Sequence, residues 1–196
     1  DICPVGALTS KDFRFSMRVW FLRETKSIDV NCGNGTNILI GSRENIIYRI
    51  TPRENDFVNS CWMPDSHRLN FHYVNSTQRL NEPIIKGEDL PTSWPRAIRT
   101  AAEQLIAYPN ATAMIASARM TNEELFLARR LAIALGVELF DVLPRPQKGD
   151  GFLISDDGNP NTLGAKLIGL ATGKLQEIAA GVAGGTIKSL LVLGED

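Results

Sequence analysis

Cysteine and histidine are scarce in this chain, with three Cys and two His among 196 residues. The cysteines, at positions 3, 32 and 61, are too few and too odd in number for a disulfide framework, which favours a reducing compartment. In that setting the sequons at Asn34, Asn75 and Asn110 read as chance matches. Neither histidine has a motif around it, so no Ser/His/Asp or Cys/His constellation can be built and hydrolase chemistry is not expected. An excess of one charge is also missing: 21 Lys and Arg stand against 22 Asp and Glu, and the net charge of -1 excludes an electrostatic footprint for nucleic acid or for anionic membrane. The mildly basic stretch 11–53 interleaves its charges with apolar residues and reads as a solvated sheet face. Long hydrophobic runs are absent. No window approaches the roughly 18 apolar residues of a membrane span, and no basic region precedes an apolar core at the start, so direct membrane insertion is not expected.

What remains is the composition of a folded protein, 43% hydrophobic, 22% charged and 7% aromatic. From Phe13 to Ile50 the pattern favours short strands: "FRFSMRVWFL" alternates, while "NILIGS" and "NIIYRI" are β-branched. A polar, Pro-interrupted stretch follows from Thr51 to Pro91, where Pro83 and Pro91 suit a linker or irregular surface segment, and the boundary is expected near residue 82. The period then changes to that of a helix. Trp94, Ala97, Ile98, Ala101, Ala102, Leu105 and Ile106 fall on one helical face, with Pro95 tolerated in the first turn. "ATAMIAS" reads as a buried strand. In "TNEELFLARRLAIALG", Thr121 and Glu124 have capping-box spacing, Leu125, Ala128, Leu131, Ala132 and Leu135 form a stripe, and Gly136 stops the helix. A strand near "VELFDVL", one or two helices between Leu163 and Ala183, and a final strand "SLLVLG" complete an alternation that argues for a parallel sheet covered by helices. Because the sequence ends just after such a strand, the α/β part reads as truncated.

Several local patterns invite a site and fail on their own chemistry. Asp157, Asn159 and Asn161 alternate as in a calcium loop, but Thr162 stands where Gly is wanted and Ile168 where a bidentate Glu is needed, so a structured loop is expected. "GVAGGTIKS" resembles a phosphate loop, yet Ile187 precedes Lys188 and the segment leads into a strand, without the helix N-terminus that would hold a phosphate. Cys61, Asp65, His67 and His72 offer zinc-type donors at a spacing that matches no closed structural site; surface histidines and a buried thiol are the expectation. The Arg119–Thr121 loop, before a capped helix, could hold an anion, with a plain connection the better reading.

Taken in order, "CPVGALTSK", "RVW", "SIDVNCGNGTNI", "YRITPREN", "WMPDSHR", "RLNEPI" and "TNEELFLARRLA" resemble the large iron–sulfur subunit, known as the G subunit, of respiratory NADH:quinone oxidoreductase (complex I). The resemblance implies that Cys3 is the last ligand of a 4Fe-4S cluster whose other three thiolates lie upstream, with a proline beside it turning the chain away. It divides the chain into 1–12, the tail of a ferredoxin-like 4Fe-4S domain; 13–82, a small β-rich domain; and 83–196, the first part of an α/β domain of the molybdopterin oxidoreductase type. In related pterin enzymes the small domain carries C-x2-C-x3-C and a further Cys after about 27 residues. Aligned on that pattern, Asp29, Cys32, Thr36 and Pro64 occupy the four positions and Cys61 falls three residues early, so no cluster is expected in this domain or in the isolated chain. The implied role is electron transfer from NADH toward quinone in the parent subunit, this piece serving mainly as scaffold. The implied partners are other subunits of the peripheral arm, on the inner face of the cell membrane. A pterin-dependent oxidoreductase such as an NAD-linked formate dehydrogenase, and a non-catalytic assembly module, are the alternatives.

Overall fold

The computed structural model describes residues 3, 5–88 and 90–195. The fold is mixed α/β, with one antiparallel and one parallel three-stranded sheet. Two compact units are present, residues 1–79 with 148–156 and residues 80–147 with 157–196.

In the first unit, β1 (Arg23–Ile28), β2 (Asn37–Arg43) and β3 (Ile46–Pro52) form the antiparallel sheet in that order. Glu44 and Asn45, at φ 50° and 66°, make the two-residue turn between β2 and β3, a left-handed turn whose twist suits the flanking strands. The β2–β3 ladder slips between Gly41 and Ser42. A Cβ on Gly41 would lie 3.1 Å from Leu22 Cδ1 and 3.2 Å from Arg49 Cγ, so the glycine lets Leu22 approach the sheet.

Two expectations need correcting in this unit. The alternating segment "FRFSMRVWFL" is not a strand: residues 11–16 turn, Val19–Phe21 form one turn of 3-10 helix, and β1 starts only at Arg23. Its alternation has no buried face to serve. Instead the guanidinium groups lie over rings, Arg14 over Phe15, Arg18 over Trp20 and Arg43 over Phe21, while Phe15 and Trp20 stay exposed. The stretch after β3 is less linker-like than its composition implies. It carries the short helix α1 (Asp65–Arg68), and Asn59, Met63, Pro64, His67 and Phe71 are all buried. The Asn59 side chain ties this segment together: its Oδ1 accepts from Asn37 N at 3.0 Å, and its Nδ2 donates to the Trp62 carbonyl at 3.0 Å and the Arg53 carbonyl at 3.2 Å.

The second unit opens with α2 (Trp94–Ala107), which starts at Ser93 with Pro95 in its first turn. The apolar stripe predicted for it exists, but no residue of α2 is buried; Ala97 and Leu105 are half-covered, and Trp94, Ile98 and Ile106 are exposed. Then come β4 (Thr112–Ala116), α3 (Asn122–Ala134), β5 (Leu139–Val142), α4 (Thr162–Ile168), α5 (Leu175–Ala183) and β6 (Ser189–Leu193). The strands run parallel in the order β5-β4-β6, with Met114 between Phe140 and Leu191. Helix α3 is fixed at both ends by its sequence. Glu124 N donates to Thr121 Oγ1 at 3.3 Å and Thr121 N donates back to Glu124 Oε2 at 2.8 Å. At the other end Gly136 takes φ 64° and Val137 N returns to the Ala132 carbonyl at 2.9 Å. Between these caps Leu125, Ala128 and Ala132 face a core of Met114, Ala116, Phe140, Val142, Ala165 and Leu170.

Candidate metal centre

Between the paired residues Ile28 and Asn37 the chain leaves the sheet through the loop 29–36 and closes on itself, Asp29 N donating to the Thr36 carbonyl at 2.8 Å. Asp29 shapes the loop. Its Oδ1 accepts from Asn31 N at 3.1 Å and from Asn31 Nδ2 at 2.6 Å, and Asn31 in turn accepts from Asn70 Nδ2 at 2.6 Å. From the segment after β3, Pro64 starts α1 by accepting from His67 N at 3.1 Å, which places the imidazole one turn beyond that proline. His67 Nδ1–H donates to Asp29 Oδ2 at 2.5 Å, joining residues 38 apart in sequence. One donor atom from each of Asp29, Cys32 and His67 lies within 4.8 Å of the others. All three are sealed from solvent, at 2%, 1% and 7% exposure.

The positions aligned on cluster ligands are therefore interior positions. Asp29, Cys32, Thr36 and Pro64 are all buried. They do not fit a 4Fe-4S cluster, because such a cluster wants four thiolates, and this set offers one thiolate, a carboxylate already hydrogen-bonded on both oxygens, a hydroxyl and a proline with no side-chain donor. The zinc-type set Cys61, Asp65, His67 and His72 is not brought together either. Cys61 is exposed, Asp65 is exposed and pairs with Arg68 Nε at 2.9 Å, and His72 faces Asp12 at 3.5 Å from the surface. The expectation of surface histidines and a buried Cys61 is thus reversed for His67 and Cys61: the buried thiol is Cys32, and His67 is interior because Asp29 satisfies its ring. Nothing local in the sequence marks His67 as a partner of Asp29 and Cys32; its one signal is its place three residues after the fourth aligned position.

Cys3 is half-buried. The backbone N–H groups of Leu8, then Val5 and Ala7, hold its thiol below the ordinary value, which favours the thiolate. Pro4, expected to turn the chain there, lies outside the described residues.

The remaining candidates resolve into loop structure. Asp157 Oδ1 accepts from Asn159 N at 2.9 Å, Asn159 Nδ2 donates to the Leu143 carbonyl at 2.9 Å, and Asn161 Nδ2 donates to the Met120 carbonyl at 3.0 Å, while Thr162 opens α4. In "GVAGGTIKS", Thr186 N and Ile187 N both return to the Gly181 carbonyl and Lys188 N to the Ala111 carbonyl. Around Arg119–Thr121, Arg119 N and Met120 N go to Ser117 and Thr121 N goes to Glu124, so no free row of donors faces an anion.

Residues 22–72 match the family model described as "NADH-ubiquinone oxidoreductase NDSU1/NuoG-like, 4Fe-4S domain". The antiparallel sheet, the 29–36 loop and α1 all lie within the matched residues. Among similar proteins, the G subunit of NADH-quinone oxidoreductase from Rickettsia felis is 37% identical over 145 residues, covering 72% of this chain and 22% of the relative. NADH dehydrogenase (ubiquinone) iron-sulfur protein 1 of Solanum tuberosum is 46% identical over 106 residues, 53% of this chain and 14% of the relative. The 78 kDa subunit of NADH-ubiquinone oxidoreductase of Neurospora crassa is 40% identical over 143 residues, 70% and 19%. Over these shared residues the chain is similar to the G subunits of NADH-quinone oxidoreductases. It covers between 14% and 22% of the length of these relatives.

Proposed function

We propose that the chain is part of the electron-transferring iron–sulfur subunit of an NADH:quinone oxidoreductase, the observation that carries this being its 37% identity over 145 residues to a G subunit of that enzyme. In this reading Cys3 is one of four thiolates around a 4Fe-4S cluster, which when bound supplies one-electron transfer between NADH and quinone. The chain's own contribution is to turn the N–H groups of Leu8, Val5 and Ala7 toward the sulfur; such hydrogen bonds to sulfur are a lever on cluster potential.

Residues 1–12 then end a ferredoxin-like domain, 13–82 keep the fold of an iron–sulfur module without its cluster, and 83–196 begin an α/β domain of the molybdopterin oxidoreductase type. What supports the last division is the change from an antiparallel sheet ending at Pro52 to a parallel one starting at Thr112. The partners are the other subunits of the peripheral arm, held on the inner face of the membrane through the complex. No helix among the described residues is long and apolar enough to cross a membrane.

The test is Cys3→Ser in the full subunit assembled in its enzyme. Electron paramagnetic resonance and iron analysis should show the loss of one four-iron cluster, and unchanged iron content would remove Cys3 from the ligand set.

A further inference from the structure

Asp29 and Cys32, two of the four positions that do not fit an iron–sulfur cluster, lie together with His67 in the interior of the first unit. We propose that Asp29, Cys32 and His67 form a mononuclear divalent site of the zinc type, three protein donors with a water or hydroxide at the fourth position. Thiolate, imidazole and carboxylate are the three side-chain donors zinc accepts, and one donor atom of each already lies within 4.8 Å of the others. Burial points the same way, because interior carboxylates are paired or coordinate a metal, and these three side chains share one sealed place. The outer partners are also present. Asp29 Oδ1 is held by both Asn31 N and Asn31 Nδ2, the kind of second contact that orients a ligating carboxylate.

The direct contact of His67 Nδ1 with Asp29 Oδ2 at 2.5 Å belongs to the metal-free form. Two donors on one tetrahedral zinc stand about 3.3 Å apart, so the ion opens this contact by a little under about 1 Å. Cys32 gives up its thiol proton to solvent as the metal binds, and where Nδ1 of His67 is the donor the neutral imidazole carries its one proton on Nε2. The inference rests on the geometry of the first unit alone and stands whether or not Cys3 holds a cluster.

Cobalt(II) is the probe, titrated into the chain carrying Cys3→Ser and Cys61→Ser so that Cys32 is the one thiol left. The expected result is one cobalt per chain with a sulfur-to-cobalt charge-transfer band and the intense visible bands of tetrahedral coordination, displaced by zinc. His67→Ala and Asp29→Asn should each weaken cobalt binding by more than about 100-fold, and Asn31→Ala by about 10-fold. X-ray absorption of the zinc form, with unchanged Cys32, should give one sulfur and two or three lighter neighbours, a readout that does not depend on any variant folding. A folded double variant with no thiolate band, or a zinc shell without sulfur, overturns the proposal; loss of the band on His67→Ala with circular dichroism unchanged supports it.

Discussion

Replacing His67 by Ala tests the contact on which the first unit closes. The change removes the donor to Asp29 Oδ2 and leaves Oδ1 with its two donations from Asn31, so one oxygen of a carboxylate at 2% exposure loses its partner. Stranding a buried acceptor costs about 1–3 kcal/mol, more for a carboxylate, and the vacated imidazole volume adds to it, which gives about 3 kcal/mol. Against a total of about 5–15 kcal/mol for a folded domain, that is a large share. Urea denaturation in the presence of a chelator measures it, followed by tryptophan fluorescence. Trp20 and Trp62 lie in the first unit and Trp94 in the second, so a Trp94→Phe background isolates the transition of interest. Asp29→Asn in the same chain should recover part of the loss, because the neutral side chain no longer strands a charge. A cost below about 1 kcal/mol for His67→Ala, with no coupling to position 29, would refute the idea that this pair pins the loop to α1.

Three further outcomes follow from features of the two units. Leu125→Ala, at a fully buried position in the α3 face, should destabilise the second unit by about 3 kcal/mol in urea denaturation followed by circular dichroism. Thr121→Ala should cost about 1 kcal/mol and fray the start of α3, visible as faster amide exchange at Glu124, whose N–H loses its acceptor. The Asp150 carboxyl is held below its ordinary value by the N–H groups of Ile154, then Phe152 and Leu153. With the folded value depressed, the order it gives the 150–154 loop is complete above the ordinary carboxylate range and is lost as pH falls through the lowered value. Amide shifts of residues 152–154 should report that acid transition, and Asp150→Asn should abolish it.

Where local chemistry decides the structure, the sequence is readable. Thr121, Glu124 and Gly136 mark the two ends of α3 because caps are made by residues three to four apart, and β2 and β3 show in their β-branched runs for the same reason. What the sequence hides depends on partners far along the chain. His67 is interior only because Asp29, 38 residues earlier, satisfies its ring, and no spacing around "DSHR" encodes that. The segment before β1 alternates like a strand, yet its arginines find nearby rings and no sheet takes it up. Helix α2 carries a stripe that periodicity assigns to a core, yet none of its residues is buried. Periodicity states which face is apolar, not what will lie against it.

The order β5-β4-β6 places the first strand of the parallel sheet at its centre. A chain emerging from the ribosome can therefore dock β5 on one side of β4 soon after α3 is made, while the other side waits for Ser189–Leu193, more than 70 residues later. Through that interval the Thr112–Ala116 backbone stands with one row of N–H and C=O groups unmatched beside apolar side chains, an open template for a neighbouring nascent chain. Ribosome stalling between α5 and β6 should thus be the point at which this protein is most easily lost to aggregation.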